Sequence, residues 1–173
     1  PHASPATRAR YRVALDLLAE VGLVASNVAG EGDCGYIVVE RYLISIGKLK
    51  RPAANGSGDS VRRALSIYFG HEAQEEAFQM FIGDGSFSST TRLDYCKEVL
   101  ITGRESAKLH AQGLYGPIPV WFGPMEQAAV ADLFQVPFYT VQVREGHREL
   151  SVMVNKLGTG TGGAIVQLLI NEH

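Results

Sequence analysis

The stretch Ala29-Gly30-Glu31-Gly32-Asp33-Cys34-Gly35-Tyr36-Ile37-Val38-Val39-Glu40-Arg41-Tyr42-Leu43-Ile44-Ser45-Ile46-Gly47 runs from a turn-rich loop into a long apolar segment, with a cysteine at the junction. From Cys34 to Ile46 only Glu40, Arg41 and Ser45 interrupt the apolar character. Val and Ile content alone says strand. The length exceeds the roughly four to eight residues of an ordinary strand, so the segment predicts a helix buried on most faces, stopped by Gly47. A cysteine that opens such a helix meets unpaired backbone N–H groups and the positive end of the helix dipole, both of which favour its thiolate. The same loop can aim N–H groups at a developing oxyanion, the second requirement of acyl transfer from a cysteine. Cys34 is therefore a candidate nucleophile. A small buried hydrophobe is the other reading of the same pattern.

Outward from this stretch, Ser4-Pro5 reads as an N-cap and first helical residue, and Tyr11, Ala14, Leu15, Leu18 and Val21 recur at helical spacing. Leu23 to Val28 suggests a short strand. After a Gly- and Asn-containing loop from Arg51 to Asp59, two helices are expected near Asp59 to Phe69 and His71 to Ile82, on the patterns Val61, Ala64, Leu65, Tyr68 and Ala73, Ala77, Phe81. Thr91 to Ile101 reads as a helix with Leu93, Cys96 and Val99 or Leu100 on one face. Pro124 to Phe134 is a helix opened by proline. The period then changes. Phe138 to Val143, Leu150 to Val154 and Ala164 to Ile170 are β-rich runs separated by Glu145-Gly146-His147 and by the glycine-rich run Gly158 to Gly163, which predicts an antiparallel meander. Helices first and strands last describe an α+β fold, a single domain over 1–173 with helices packed around a small, mainly antiparallel sheet.

Composition narrows the function. The 173 residues carry 16 basic and 18 acidic side chains, so the basic excess that nucleic acids attract is missing. Mean hydropathy is +0.01, and the apolar stretches fall far short of the roughly 20 residues a membrane crossing needs. Two cysteines, Cys34 and Cys96, suit neither a disulfide scaffold nor a Cys-rich metal site and favour a reducing, cytoplasmic setting. A monomer without cofactor or metal is expected. The Pro1 start implies a segment cut from something longer, by design or by polyprotein processing.

A cysteine nucleophile needs a base. His2, His71, His110 and His147 fall at a terminus, a helix start, a polar stretch and a turn, where solvated roles prevail. His173 follows the buried-looking strand Ala164 to Ile170, which can hold a side chain rigidly at a sheet edge. Cys96, three residues from Leu93, reads as core. Gly158 to Gly163 lacks the Lys-Ser/Thr of a phosphate loop, and Gly83-Asp84-Gly85 lacks the acid series of a calcium loop.

Glu31-Gly32-Asp33-Cys34-Gly35-Tyr36 resembles the Asp-Gly-Asn-Cys-(Leu/Phe)-(Phe/Tyr) nucleophile loop of OTU (ovarian tumour) proteases, papain-like deubiquitinases. Trp121-Phe122-Gly123-Pro124-Met125-Glu126 with Phe138-Tyr139-Thr140-Val141, and Leu168-Leu169-Ile170-Asn171-Glu172-His173, resemble two further segments of that family in the same order. The resemblance implies a papain-type fold and hydrolysis after the C-terminal Gly-Gly of ubiquitin or a ubiquitin-like protein. It implies Cys34 as nucleophile, His173 as base, oxyanion N–H groups from Cys34 and from Glu31 or Gly32, and Trp121 as a wall of the Gly-Gly channel, beside its bland reading as core. Asn171 shares a face with His173 and is a candidate to orient it, with the terminal carboxylate and Asn27 as others. Glu31 and Asp33 stand where the family has Asp and Asn. Their charge opposes thiolate formation unless the carboxylates accept backbone N–H bonds or face solvent. Glu72, Glu75 and Glu76 would meet basic residues of a partner or simply form a solvated face. A non-catalytic protein-binding module and a viral polyprotein-processing protease are the alternatives.

Overall fold

The computed structural model describes residues 12, 16, 19, 20, 32–50, 57–82, 91–113, 120–144, 151–157 and 165–170. Residues 12, 16, 19 and 20 of the expected first helix are helical. The expected strand at 23–28, the segment Gly83-Asp84-Gly85 and the glycine-rich run at 158–163 lie outside the described residues. The described elements are α1 (Cys34–Ser45), α2 (Asp59–Gly70), a 3-10 turn (Glu72–Gln74), α3 (Glu75–Ile82), α4 (Arg92–Glu98), α5 (Gly103–Ala111), α6 (Pro124–Phe134), β1 (Phe138–Arg144), β2 (Ser151–Leu157) and β3 (Ile165–Ile170).

The apolar run after Cys34 is helical, as its length requires. It stops where Gly47 takes φ 72° and the Lys48 N–H closes on the Leu43 carbonyl at 2.8 Å. Tyr36, Val39 and Leu43 of α1 enter a core with Val61, Leu65 and Phe69 of α2, Phe78 of α3, Tyr95 of α4, Met125, Ala129 and Val130 of α6, and Phe138 of β1. Phe69, Phe78 and Tyr95 meet with ring centroids 5.1 to 5.9 Å apart in the tilted and edge-on arrangements that ring quadrupoles favour.

Three expectations need correction. On α2 the buried stripe is Val61, Arg62, Leu65 and Phe69, and on α4 it is Arg92 and Tyr95, continued by the C-cap Val99, leaving Leu93 and Leu100 exposed. Both stripes contain an arginine that reading by hydrophobicity passes over. The segment after α4 forms a further helix, α5, in which Ser106 is the buried residue. An apolar period cannot find such a helix. Its signature is the capping box, in which Thr102 Oγ1 accepts the Glu105 N–H at 3.1 Å and Glu105 Oε2 accepts the Thr102 N–H at 2.9 Å.

The third correction concerns the sheet, which is not a meander. Its order is β2-β1-β3, with β1 and β2 antiparallel, Phe138 opposite Leu157, and β1 and β3 parallel, Phe138 beside Ile165. Alternation in a sequence tells which face is buried but not which neighbour a strand takes. β2 ends and β3 begins at the level of Phe138, on opposite sides of β1. β3 lies against α1. No helix among the described residues is long and apolar enough to cross a membrane.

Glu40 links α1 to α2. Its side chain is fully buried, and its two oxygens accept the N–H groups of Gly58 at 2.9 Å and Ser60 at 3.1 Å. The N-cap of α2 is Gly58, which has no side chain to do this and which must be glycine, since φ is 81° and a Cβ would lie 2.5 Å from that of Tyr36. Glu40→Ala leaves these two donors without their acceptors and is expected to cost about 1–3 kcal/mol. Urea unfolding of the variant beside wild type measures it, and a loss below ~0.5 kcal/mol would refute this role.

Candidate active site

The loop before α1 turns at Gly32, with φ 84°, and Asp33 is the N-cap of the helix. Cys34 follows as the first helical residue, partly exposed and unpaired as a free thiol. Asp33 makes no side-chain cap hydrogen bond to the first turn. Its carboxylate instead accepts the Gly103 N–H at 3.0 Å on both oxygens and pairs with Arg62 Nη2. Gly103 opens α5, so a negative group sits on the positive end of that helix. This meets the condition set by the sequence, that the acid beside the thiol accept a backbone N–H.

Arg62 is buried among structural partners. Its Nη1 donates to the Val99 carbonyl at 2.8 Å, and its guanidinium lies 3.6 Å from the ring centroid of Tyr36, a cation–π contact. Its Nε has no hydrogen-bond partner among the described residues.

The segment Val120-Trp121-Phe122 is pinned alongside the first turn of α1. The Tyr36 hydroxyl donates to the Val120 carbonyl at 3.0 Å, and the Tyr36 and Phe122 rings meet edge-on with centroids 5.0 Å apart. A Cβ on Gly35 would fall 2.4 Å from the Cβ of Phe122, so the residue after the cysteine is glycine because this segment occupies its side-chain space. Trp121 is 56% exposed. The structure therefore corrects its reading as a core residue and leaves it as an accessible aromatic next in sequence to Val120, the residue that Tyr36 binds.

Behind this segment, Glu126 is fully buried and accepts the Tyr95 hydroxyl at 2.8 Å and the Gly123 N–H at 2.8 Å. Burial pushes its carboxyl up from the ordinary carboxylate range. It locks the turn that carries Trp121 and Phe122 onto α6. Cys96 of α4 packs against the core, and burial pushes its thiol up, which suits a packing residue and opposes a nucleophile.

Of the residues expected at the site, the structure brings together Gly32, Asp33 and Cys34 with the Trp121 segment. Glu31, Asn171, His173 and Asn27 lie outside the described residues. β3, against α1, ends at Ile170, three positions before His173. His71 and His110 are exposed. Glu72, Glu75 and Glu76 are exposed, and Glu75 pairs with Arg92 Nε at 2.8 Å. Among the described residues no group of three His, Cys, Asp or Glu is arranged to hold a metal. Sequence reasoning missed Arg62 and Gly103 and gave Phe122 and Glu126, quoted within the Trp121 to Glu126 motif, no role of their own. For Arg62 the available signal was its spacing from Leu65 and Phe69 on a buried stripe.

Gly35→Ala is expected to lose about 1–3 kcal/mol, the usual cost of overpacking, with Trp121 emission shifting as its segment moves off α1. Denaturant unfolding with tryptophan fluorescence measures both, and wild-type values for both would contradict the packing described.

No protein-family model and no curated protein matches this chain. Its fold is similar to that of a solved structure, the viral OTU domain protease from Dera Ghazi Khan virus. The TM-score is 0.52 at 14% sequence identity, over 86% of this chain and 75% of that one. At that identity the likeness concerns the fold.

Proposed function

We propose that this chain is a cysteine-dependent hydrolase of OTU type that cuts after the C-terminal Gly-Gly of ubiquitin or a ubiquitin-like protein. The observation that carries the reading is the placement of Cys34 at the first turn of α1, which the side chain of its N-cap leaves uncapped, with the segment Val120-Trp121-Phe122 packed on that turn through Val120 and Phe122. The fold likeness to a viral OTU protease supports it.

In this reading the Cys34 thiol gives its proton to His173, and the thiolate attacks the carbonyl carbon of the terminal glycine. Backbone N–H groups of Cys34 and of Glu31 or Gly32 hold the oxyanion. As the C–N bond breaks, His173 returns the proton to the leaving lysine amine, leaving a thioester on Cys34. Water, deprotonated by the same imidazole, then displaces the thiolate and releases the glycine carboxylate. Trp121 forms a wall of the channel that the side-chain-free Gly-Gly tail enters. The protein acts as a single-domain monomer on ubiquitin conjugates in the cytoplasm.

Hydrolysis of a fluorogenic amide at the ubiquitin C-terminus tests this. Cys34→Ala is expected to abolish turnover while the fold persists, and Cys96→Ala to keep it at a stability cost of about 1 kcal/mol. Activity that survives Cys34→Ala but not Cys96→Ala would refute the assignment. A wild-type chain that binds ubiquitin and hydrolyses nothing would make it a binding module.

Asn171 is the proposed orienting partner of His173. Cys-His pairs tolerate loss of the third group better than serine triads do, so Asn171→Ala should lower kcat/KM about 10- to 100-fold, equivalent to roughly 1.4–2.7 kcal/mol. Wild-type kinetics for this variant would leave a Cys34–His173 dyad.

A further inference from the structure

Aspartate is among the best N-cap residues because its carboxylate ordinarily accepts the N–H groups of the first helical turn. At Asp33 that habit would be harmful. A capping carboxylate would fill donors that a developing oxyanion needs and would set a negative charge against the thiol of the next residue. The structure has the opposite arrangement. Asp33 has φ −103° and ψ −3°, away from the extended backbone usual for a cap, and makes no cap bond to α1. Its carboxylate is held by Arg62 and by the Gly103 N–H.

Arg62 is built to hold it. The residue is 1% exposed, its guanidinium is fixed by the Val99 carbonyl and the Tyr36 ring, and no surface role competes for it. Among the described residues, three neighbouring carboxylates are already engaged. Glu126 from α6 is bound by Tyr95 and Gly123, Glu40 of α1 by Gly58 and Ser60, and Glu105 from α5 by Thr102. β3, which packs on α1, contains no titratable residue, and Glu31 and His173 lie outside the described residues.

We propose that Arg62 is a positioning residue for the Cys34 thiol: it cancels the charge of the preceding carboxylate and turns that carboxylate away from the first-turn N–H groups of α1. Its importance for catalysis rests on the reading of Cys34 as nucleophile, whereas its effect on the thiol does not.

The test is the pH dependence of iodoacetamide alkylation of Cys34 in a Cys96→Ala background, where Cys34 is the sole thiol, with circular dichroism confirming the fold of each variant. Arg62→Gln should move the alkylation midpoint up by about one pH unit, a roughly tenfold loss of thiolate at neutral pH, as an uncompensated charge within several ångströms requires. Asp33→Asn, which keeps an acceptor for Gly103, should move it down. Asp33→Asn/Arg62→Gln, which leaves no lone buried charge, should return it close to wild type. A purely structural pair would change stability and leave all midpoints alike, and that result overturns the proposal, as does a fall in Arg62→Gln. If Arg62→Gln does not fold, an unchanged or raised midpoint in Asp33→Asn is the overturning result, and a double variant displaced as far as the single one overturns it equally. Alkylation reads the thiol without substrate, so its failure is separable from loss of ubiquitin hydrolysis in Cys34→Ala.

Discussion

The buried ion pair between Asp33 and Arg62 is the constraint around which the site is assembled. One guanidinium reaches the residue before the cysteine on α1, the carbonyl at the end of α4 and the ring of Tyr36, while the carboxylate it holds caps α5. A pair of this kind is a poor source of net stability, because removing two charges from water offsets much of their attraction, but losing one partner costs about 3–5 kcal/mol. Its physical value is geometric. Four helices are brought to one point, and that point is next to Cys34.

Helix α1 works as the hub of the described structure because its polar groups are spent on its neighbours. Glu40 supplies the N-terminal acceptors that α2 lacks, and Asp33 supplies one to α5. The Tyr36 hydroxyl fixes Val120, and the space beside Gly35 is filled by Phe122. Each contact also restrains where Cys34 can be, so the helix that opens with the thiol is anchored from both sides within its first two turns. Preorganisation of this kind is what a nucleophile on a loop needs in order to act without reordering its surroundings.

Much of this was legible in the chain, and the parts that were not share a cause. The length of the apolar run fixed α1, and Pro124 marked the start of α6, because local geometry decides both. The three strands were legible from their period, but the parallel partnership of β1 and β3 was not, since pairing is a long-range choice. Arg62 and Arg92 were passed over because a hydrophobicity pattern treats charge as a mark of solvent, whereas these guanidiniums are buried by carbonyl and carboxylate partners far away in sequence. Helix α5 hid for a related reason: it is polar nearly all round and is held by its caps. The place of Cys34 at the start of α1 was legible because its signal is local, a loop turning into an apolar helix. The exposure of Trp121 was not legible, because the distant contacts of Val120 and Phe122 set how that segment lies.

Cys34, the uncapped start of its helix and the Val120–Phe122 segment packed on that turn are the parts of the proposed site that the described residues contain, and β3 lies against α1 with His173 three residues beyond its end in sequence. The central claim is that this particular sulfur is the one presented to a ubiquitin C-terminus. The most direct measurement is treatment of the wild-type chain with ubiquitin carrying a C-terminal electrophile, followed by peptide mapping of the adduct by mass spectrometry. A single adduct on Cys34 is predicted. An adduct on Cys96, or a chain left unlabelled while an unrelated thiol reagent still reacts at Cys34, would contradict the account.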